Sequence, residues 1–123
     1  NYSFNGDTGN NYYRYHLLYG DGSTAGAGAG GTYTSMSGGD LTGSSAASNI
    51  FGAGIFDILD YSNTNKYKTT RVLSGVDLNG SGQVDIWSGL WMSTSAISSI
   101  TLVGSTGANF ATGTSFALYG IKG

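Results

Sequence analysis

The residues able to do chemistry are few, and their spacing limits what chemistry that is. His16 is the single histidine. An imidazole can act as a general base when a carboxylate such as Asp57 or Asp60 orients it. No nucleophile motif of the G-x-S-x-G type accompanies it, so His16 reads as a strand-surface residue beside Arg14, and an enzyme is not expected. Asp57 and Asp60 resemble the two acids of a glycosidase. On a regular strand, however, residues three apart point to opposite faces. They read instead as a strand end, Asp60, and a local ion-pair partner of a Lys or Arg, Asp57.

The stretch D-L-N-G-S-G-Q-V-D over residues 77–85 is the nearest approach to a metal motif. Asp77, Asn79, Ser81 and Asp85 fall at positions 1, 3, 5 and 9 of a calcium loop, with glycine at position 6. Position 12 is Ser88 rather than the bidentate glutamate, and no helices flank the loop, so any calcium affinity is expected to be weak. An Asn79-Gly80 hairpin turn explains the same residues. No cofactor is expected. The remaining candidates are aromatic: Tyr12, Tyr13, Tyr15, Tyr19, Trp87 and Trp91. Such rings stack on sugar faces or anchor protein interfaces at low entropic cost, and Tyr12, Tyr15, Tyr19, Trp87 and Trp91 are the recognition candidates, with core or subunit-interface roles as the competing reading.

These groups must be positioned by strands. The apolar/polar period is two throughout, and no window fits a helix. Strands are expected at residues 1–4, 12–19, 32–36, 50–61, 67–74, 84–92, 96–103 and 115–121. Tyr13, Tyr15, Leu17 and Tyr19 should share one face of the second, with Tyr12, Arg14, His16 and Leu18 on the other. Residues 50–61, apolar on both faces, should be a central strand. The Gly-rich residues 20–31 read as a long mobile loop, residues 37–48 as a second loop, 62–66 as a turn, and N-G-S-G at 79–82 as a hairpin. About eight short strands with no helices between them give an all-β fold, an antiparallel β-sandwich of jelly-roll type, in one domain.

Composition narrows the setting. Charged residues make up 10% of the 123 residues, against about a quarter in typical domains. With five Lys+Arg against seven Asp+Glu, there is no basic stripe for nucleic acid or for an anionic membrane surface. The one cluster, Lys66, Lys68 and Arg71, is too small for that. No run suits membrane insertion. Cysteine is absent, so stability is expected to come from association rather than disulfides. The chain opens on Asn rather than Met, which reads as processing or, preferably, as the C-terminal fragment of a longer chain.

Several stretches together resemble the C-terminal domain of many tailed-bacteriophage virion proteins. They are I-L-D-Y-S-N-T-N-K-Y-K-T at 58–69, S-G-L-W at 88–91, A-I-S-S-I-T-L at 96–102 and N-F-A-T-G-T-S-F-A-L-Y-G-I at 109–121, with F-N-G-D-T-G-N-N-Y at 4–12 preceding them. The resemblance spans residues 57–123 and carries no catalytic residue. It implies a structural protein of an extracellular virion, of tail-fibre or head-decoration type. The leading expectation is the distal domain of a fibre with a host-attachment role, a homotrimer joined through its apolar sheet face. Its loops at 20–31 and 37–48 would touch a host glycan or another virion protein. The alternatives are a capsid decoration (cement) protein and, from a different class, a secreted carbohydrate-binding module.

Overall fold

The computed structural model describes residues 1–121; the side chains of residues 13–15 and 106 lie outside that description. Eight strands form in order: β1 (Tyr2–Phe4), β2 (Tyr12–Gly20), β3 (Ala25–Gly28), β4 (Thr32–Tyr33), β5 (Phe51–Leu59), β6 (Lys68–Asp77), β7 (Gly82–Trp91) and β8 (Ile100–Leu102). Among the described residues the one helical element is a short 3-10 turn at Ser105–Gly107. The strands make an antiparallel β-sandwich. A six-stranded sheet runs β3-β2-β7-β6-β5, with β4 also paired to β2, and β1 and β8 pair as a second layer.

The large sheet is built on two long hairpin-like pairings. β6 and β7 are joined through Asn79 (φ 57°) and Gly80 (φ 107°), the left-handed pair that a tight primed turn requires. Leu78 N–H closes it on the Ser81 carbonyl at 3.0 Å. β6 alternates cleanly, with Lys68, Thr70, Val72 and Ser74 buried and the residues between them exposed. Lys68 is wholly buried and donates its Nζ to the carbonyls of Lys66 (2.9 Å) and Thr94 (3.3 Å). Lys66 and Arg71 instead pair with Asp60 and Asp57. The cationic cluster of the sequence is therefore dispersed.

The core is an aromatic slab between the layers: Tyr2 and Phe4 from β1, Tyr12 from β2, Trp91 from β7, with Met36 and Val72. Tyr2 meets Phe56 at 4.2 Å between ring centroids, and Phe4 meets Trp91 at 5.5 Å. Tilted ring pairs of this kind add to what area burial alone contributes. Each polar tip is satisfied. Tyr2 and Thr70 share a hydroxyl hydrogen bond of 2.6 Å. The Tyr12 oxygen accepts from Phe4 N–H and donates to the Asp7 carbonyl, both at 2.9 Å. Burial pushes the Tyr2 hydroxyl well above the usual phenol range.

Several expectations are corrected. A β-bulge between Arg14 and His16 inserts one residue into β2. Tyr12 therefore shares the inner face with Leu17 and Tyr19, opposite Trp91, Trp87 and Asp85, rather than with His16 and Leu18. β5 is an edge strand, not a central one. The Gly-rich segment is not one long loop: Ala25–Gly28 pairs with Leu17–Gly20. Gly26 lies under the Tyr19 ring where a Cβ would collide. Strand pairing within 96–103 is confined to Ile100–Leu102, and residues 115–121 form no strand. That last segment is extended and exposed instead of being sewn into the sheet.

Candidate interaction surface

The registers place the side chains of the large sheet in rows. On its outer face Ile55 stands opposite Leu73, Leu73 opposite Ile86, and Ile86 opposite Leu18. Directly opposed residues in antiparallel strands share a face, so four aliphatic side chains line up across four strands. They are 67, 49, 50 and 52% exposed respectively. Singly exposed apolar residues are ordinary, but a contiguous row marks an interaction surface.

Rows on either side frame it. One is small: Ala53, Gly75, Val84 and Gly20. With Phe51 and the turns at Asp21–Gly22 and Gly80–Gly82, this row floors an open depression of about 640 Å³. The other row is polar: Asp57, Arg71, Ser88 and His16. Asp57 accepts from Arg71 at 3.3 Å. His16 is exposed at the far end of that row, three strand spacings or about 14 Å from Asp57. The distance leaves Asp57 unable to orient the imidazole. Asp60 is taken up by Lys66, so neither carboxylate is directed at a common substrate with the other.

The calcium residues do not converge. Asp77 accepts from Asn79 N–H at 2.8 Å within the turn. Asp77 stands opposite Gly82, and Asp85 stands opposite Ser74, so the two acids project from opposite faces of the sheet. Asp85 is wholly buried and accepts from Gln83 Nε2 (2.6 Å) and Ser74 Oγ (3.4 Å). Among the described residues no group of three or more His, Cys, Asp or Glu side chains gathers to hold a metal.

The recognition aromatics divide. Tyr12 and Trp91 are buried and stacked, 6.4 Å between centroids and 16° between planes, which corrects their reading as surface residues. Trp91 Nε1 donates to Asp7 Oδ2 at 2.8 Å. That bond, followed by those from Gly9 N–H and the Asn11 amide, holds the Asp7 carboxyl below its ordinary range despite some desolvation. Trp87 is half-buried against the core, Tyr19 is partly exposed, and the side chain of Tyr15 lies outside the described residues.

The F-N-G-D-T-G-N-N-Y motif is thus a structural device. Asn5 (φ 53°) and Gly6 (φ 67°) turn the chain. Asn5 Oδ1 accepts from Ser98 N–H at 2.8 Å and Ser99 N–H at 3.2 Å, and Asp7 tethers Trp91. Spacing alone gave no sign of Phe51, Tyr61, Tyr67 and Tyr119, all at least half exposed, because aromatic alternation reads alike for core and surface.

The total surface makes the same point in area. The chain exposes 7770 Å², against about 6,200 Å² expected for a compact monomer of 12.6 kDa. The excess is about 1,600 Å², and the exposed residues Phe116, Leu118, Tyr119 and Ile121 contribute to it. In comparisons with protein-family models, curated proteins and solved structures, nothing matches the chain.

Proposed function

We propose that this chain is a self-associating structural module of a tailed-phage virion, the distal domain of a fibre that serves host attachment. The observation that carries self-association is the exposed row Leu18–Ile86–Leu73–Ile55, backed by the surface excess. A contiguous apolar sheet face of this kind is the surface a second copy would cover. The virion setting rests on the resemblance of residues 4–12, 58–69, 88–91, 96–102 and 109–121 to virion domains. Within the fold these stretches build turns, β7, β8 and the C-terminal segment, as scaffold motifs would. The Asp21–Thr24 and Leu78–Ser81 turns and the chain entering β5 gather at one end. Loops displayed on a rigid sandwich are the natural place for recognition, and this end would face the host.

Two measurements test the reading. Sedimentation of the full chain at micromolar concentration should give a closed homo-oligomer, three copies on this reading. Leu73→Glu should shift it to smaller species without loss of β-sheet signal. A monomeric wild-type chain would overturn the proposal. Electron microscopy of the virion should place the chain at a fibre tip. Density on the capsid shell would favour a cement protein instead, and glycan binding by a monomer would favour a carbohydrate-binding module.

A further inference from the structure

Two features of the fold are incomplete, and they match each other. The first is the outer edge of β5. It ends the strand order of the large sheet with nine residues, F-G-A-G-I-F-D-I-L. Sheet edges left open in soluble proteins are normally shortened, bulged, or guarded by lysine or proline. This edge carries one charge, Asp57, which Arg71 already engages. Its inward side chains Phe56 and Ile58 pack on the core but remain only partly buried, as they would if a neighbouring strand were missing.

The second is the segment at 115–121. Its root is fixed. Ala111 N–H bonds the Thr42 carbonyl at 3.3 Å, Thr114 N–H closes a turn on Ala111 at 3.1 Å, and Phe116 packs edge-on against Phe110 at 5.1 Å. Beyond that root the chain is extended. Leu118, Tyr119 and Ile121 are 82, 82 and 88% exposed, and among the described residues no hydrogen bond or ring contact ties 117–121 to the body. Phe116 and Leu118 fall on one side of an extended chain, Ala117, Tyr119 and Ile121 on the other. A strand apolar on both sides needs a sheet edge for its backbone and cover on both faces.

We infer that residues 115–121 of one copy add as a strand to the β5 edge of a second copy. The seven residues are shorter than the nine-residue edge, so the strand fits within it. One side of the added strand extends the outer row beyond Ile55, and the other covers Phe56 and Ile58 from the flank. Backbone pairing supplies the affinity and the alternate side chains the register. The occupant is a second copy because the surface excess of about 1,600 Å² has the size of an obligate subunit interface, and this tail and this edge both contribute to it. Tail and edge are different surfaces, so the contact is head-to-tail, and a closed ring leaves neither one open. The inference rests on the self-association proposed above and specifies how it is made.

The test uses the full chain in two variants. Leu118→Asp with Ile121→Asp spoils the tail, and Phe51→Lys with Leu59→Lys, both on β5 but outside the outer row, guards the edge. All four positions are exposed, so each variant should keep the wild-type near-ultraviolet circular dichroism. Each alone should be monomeric in sedimentation, with association weakened about 100-fold or more for the tail variant. Mixed, the intact tail of one and the intact edge of the other should recover a 1:1 heterodimer. A tail variant that keeps the wild-type oligomer overturns strand exchange and leaves the self-association reading standing. A mixture that stays monomeric overturns the pairing of this tail with this edge. A monomeric wild-type chain overturns both.

Discussion

Replacing Asp7 by alanine tests the idea that the N-terminal turn is a clamp on the core. Asp7 accepts from the Trp91 indole at 2.8 Å, from Gly9 N–H at 2.9 Å and from Asn11 Nδ2 at 3.0 Å. Trp91 is buried, so Asp7→Ala leaves an indole N–H without its acceptor. A hydrogen bond to a charged group contributes about 1.5–3 kcal/mol. The two exposed bonds within the turn add a few tenths each, so the expected loss is about 2–3 kcal/mol. In a domain of this size that corresponds to roughly 8–12 °C in Tm. Guanidinium and thermal unfolding, followed by tryptophan fluorescence at one fixed protein concentration, read both quantities. Asp7→Asn keeps a neutral acceptor and should lose about half as much. The sign with pH is also fixed. The folded carboxyl sits below its ordinary value of 3.8, so its contribution is present above that pH and is lost as pH falls through the lowered value. The gap between wild type and Asp7→Ala should therefore narrow in strong acid. A loss under about 0.5 kcal/mol, within the range of an ordinary surface substitution, or an Asp7→Asn variant as unstable as Asp7→Ala, would refute the clamp.

Two further outcomes follow from the inner face. Gly39 holds φ at +83° with Ser74 Oγ where its Cβ would stand, so Gly39→Ala should cost about 2 kcal/mol or more by denaturant unfolding; an unchanged midpoint would contradict this. Desolvation first, then the neighbouring Asp85 carboxylate, holds the Asp40 carboxyl above its ordinary value. A raised carboxyl stabilises the fold while protonated, below about pH 4, and loses that contribution as pH rises through its folded value. Asp40→Asn, which can still accept from Gln83, should thus raise Tm at pH 7 by an amount that vanishes toward pH 4; a lowered Tm at neutral pH would oppose the argument.

What the sequence reveals and what it hides separate along physical lines. The β6–β7 hairpin is legible because Asn79-Gly80 takes positive φ locally, whatever surrounds it. The Asp57 ion pair is legible because its partner Arg71 lies on the adjacent strand, while the pairing of Asp60 with Lys66 across the turn is not, since Asp60 reads only as a strand end. The position of β5 is not, since an apolar two-faced strand looks central whether its second neighbour belongs to the same chain or to another. Ala25–Gly28 is hidden for a different reason: Gly26 makes room for the Tyr19 ring, and composition alone reports it as flexibility. Tyr12 and Trp91 are misread as surface because an aromatic ring with a polar tip suits either place. Only the Asp7 side chain and the β1 backbone decide between them.

The bulge in β2 has a consequence for how this chain tolerates change. A single extra residue between Arg14 and His16 lets one strand put Tyr12 in the core and Leu18 on the outer row. Substitutions along the strand act at one position each. Straightening the bulge at unchanged length would turn half the strand over, sending Leu17 and Tyr19 outward or Tyr12 out of the slab, whereas loss of the one extra residue would leave a regular strand with the same residues facing in. The bulge should therefore be the one place in β2 where loss of a single residue is tolerated, with other insertions and deletions confined to the turns at either end.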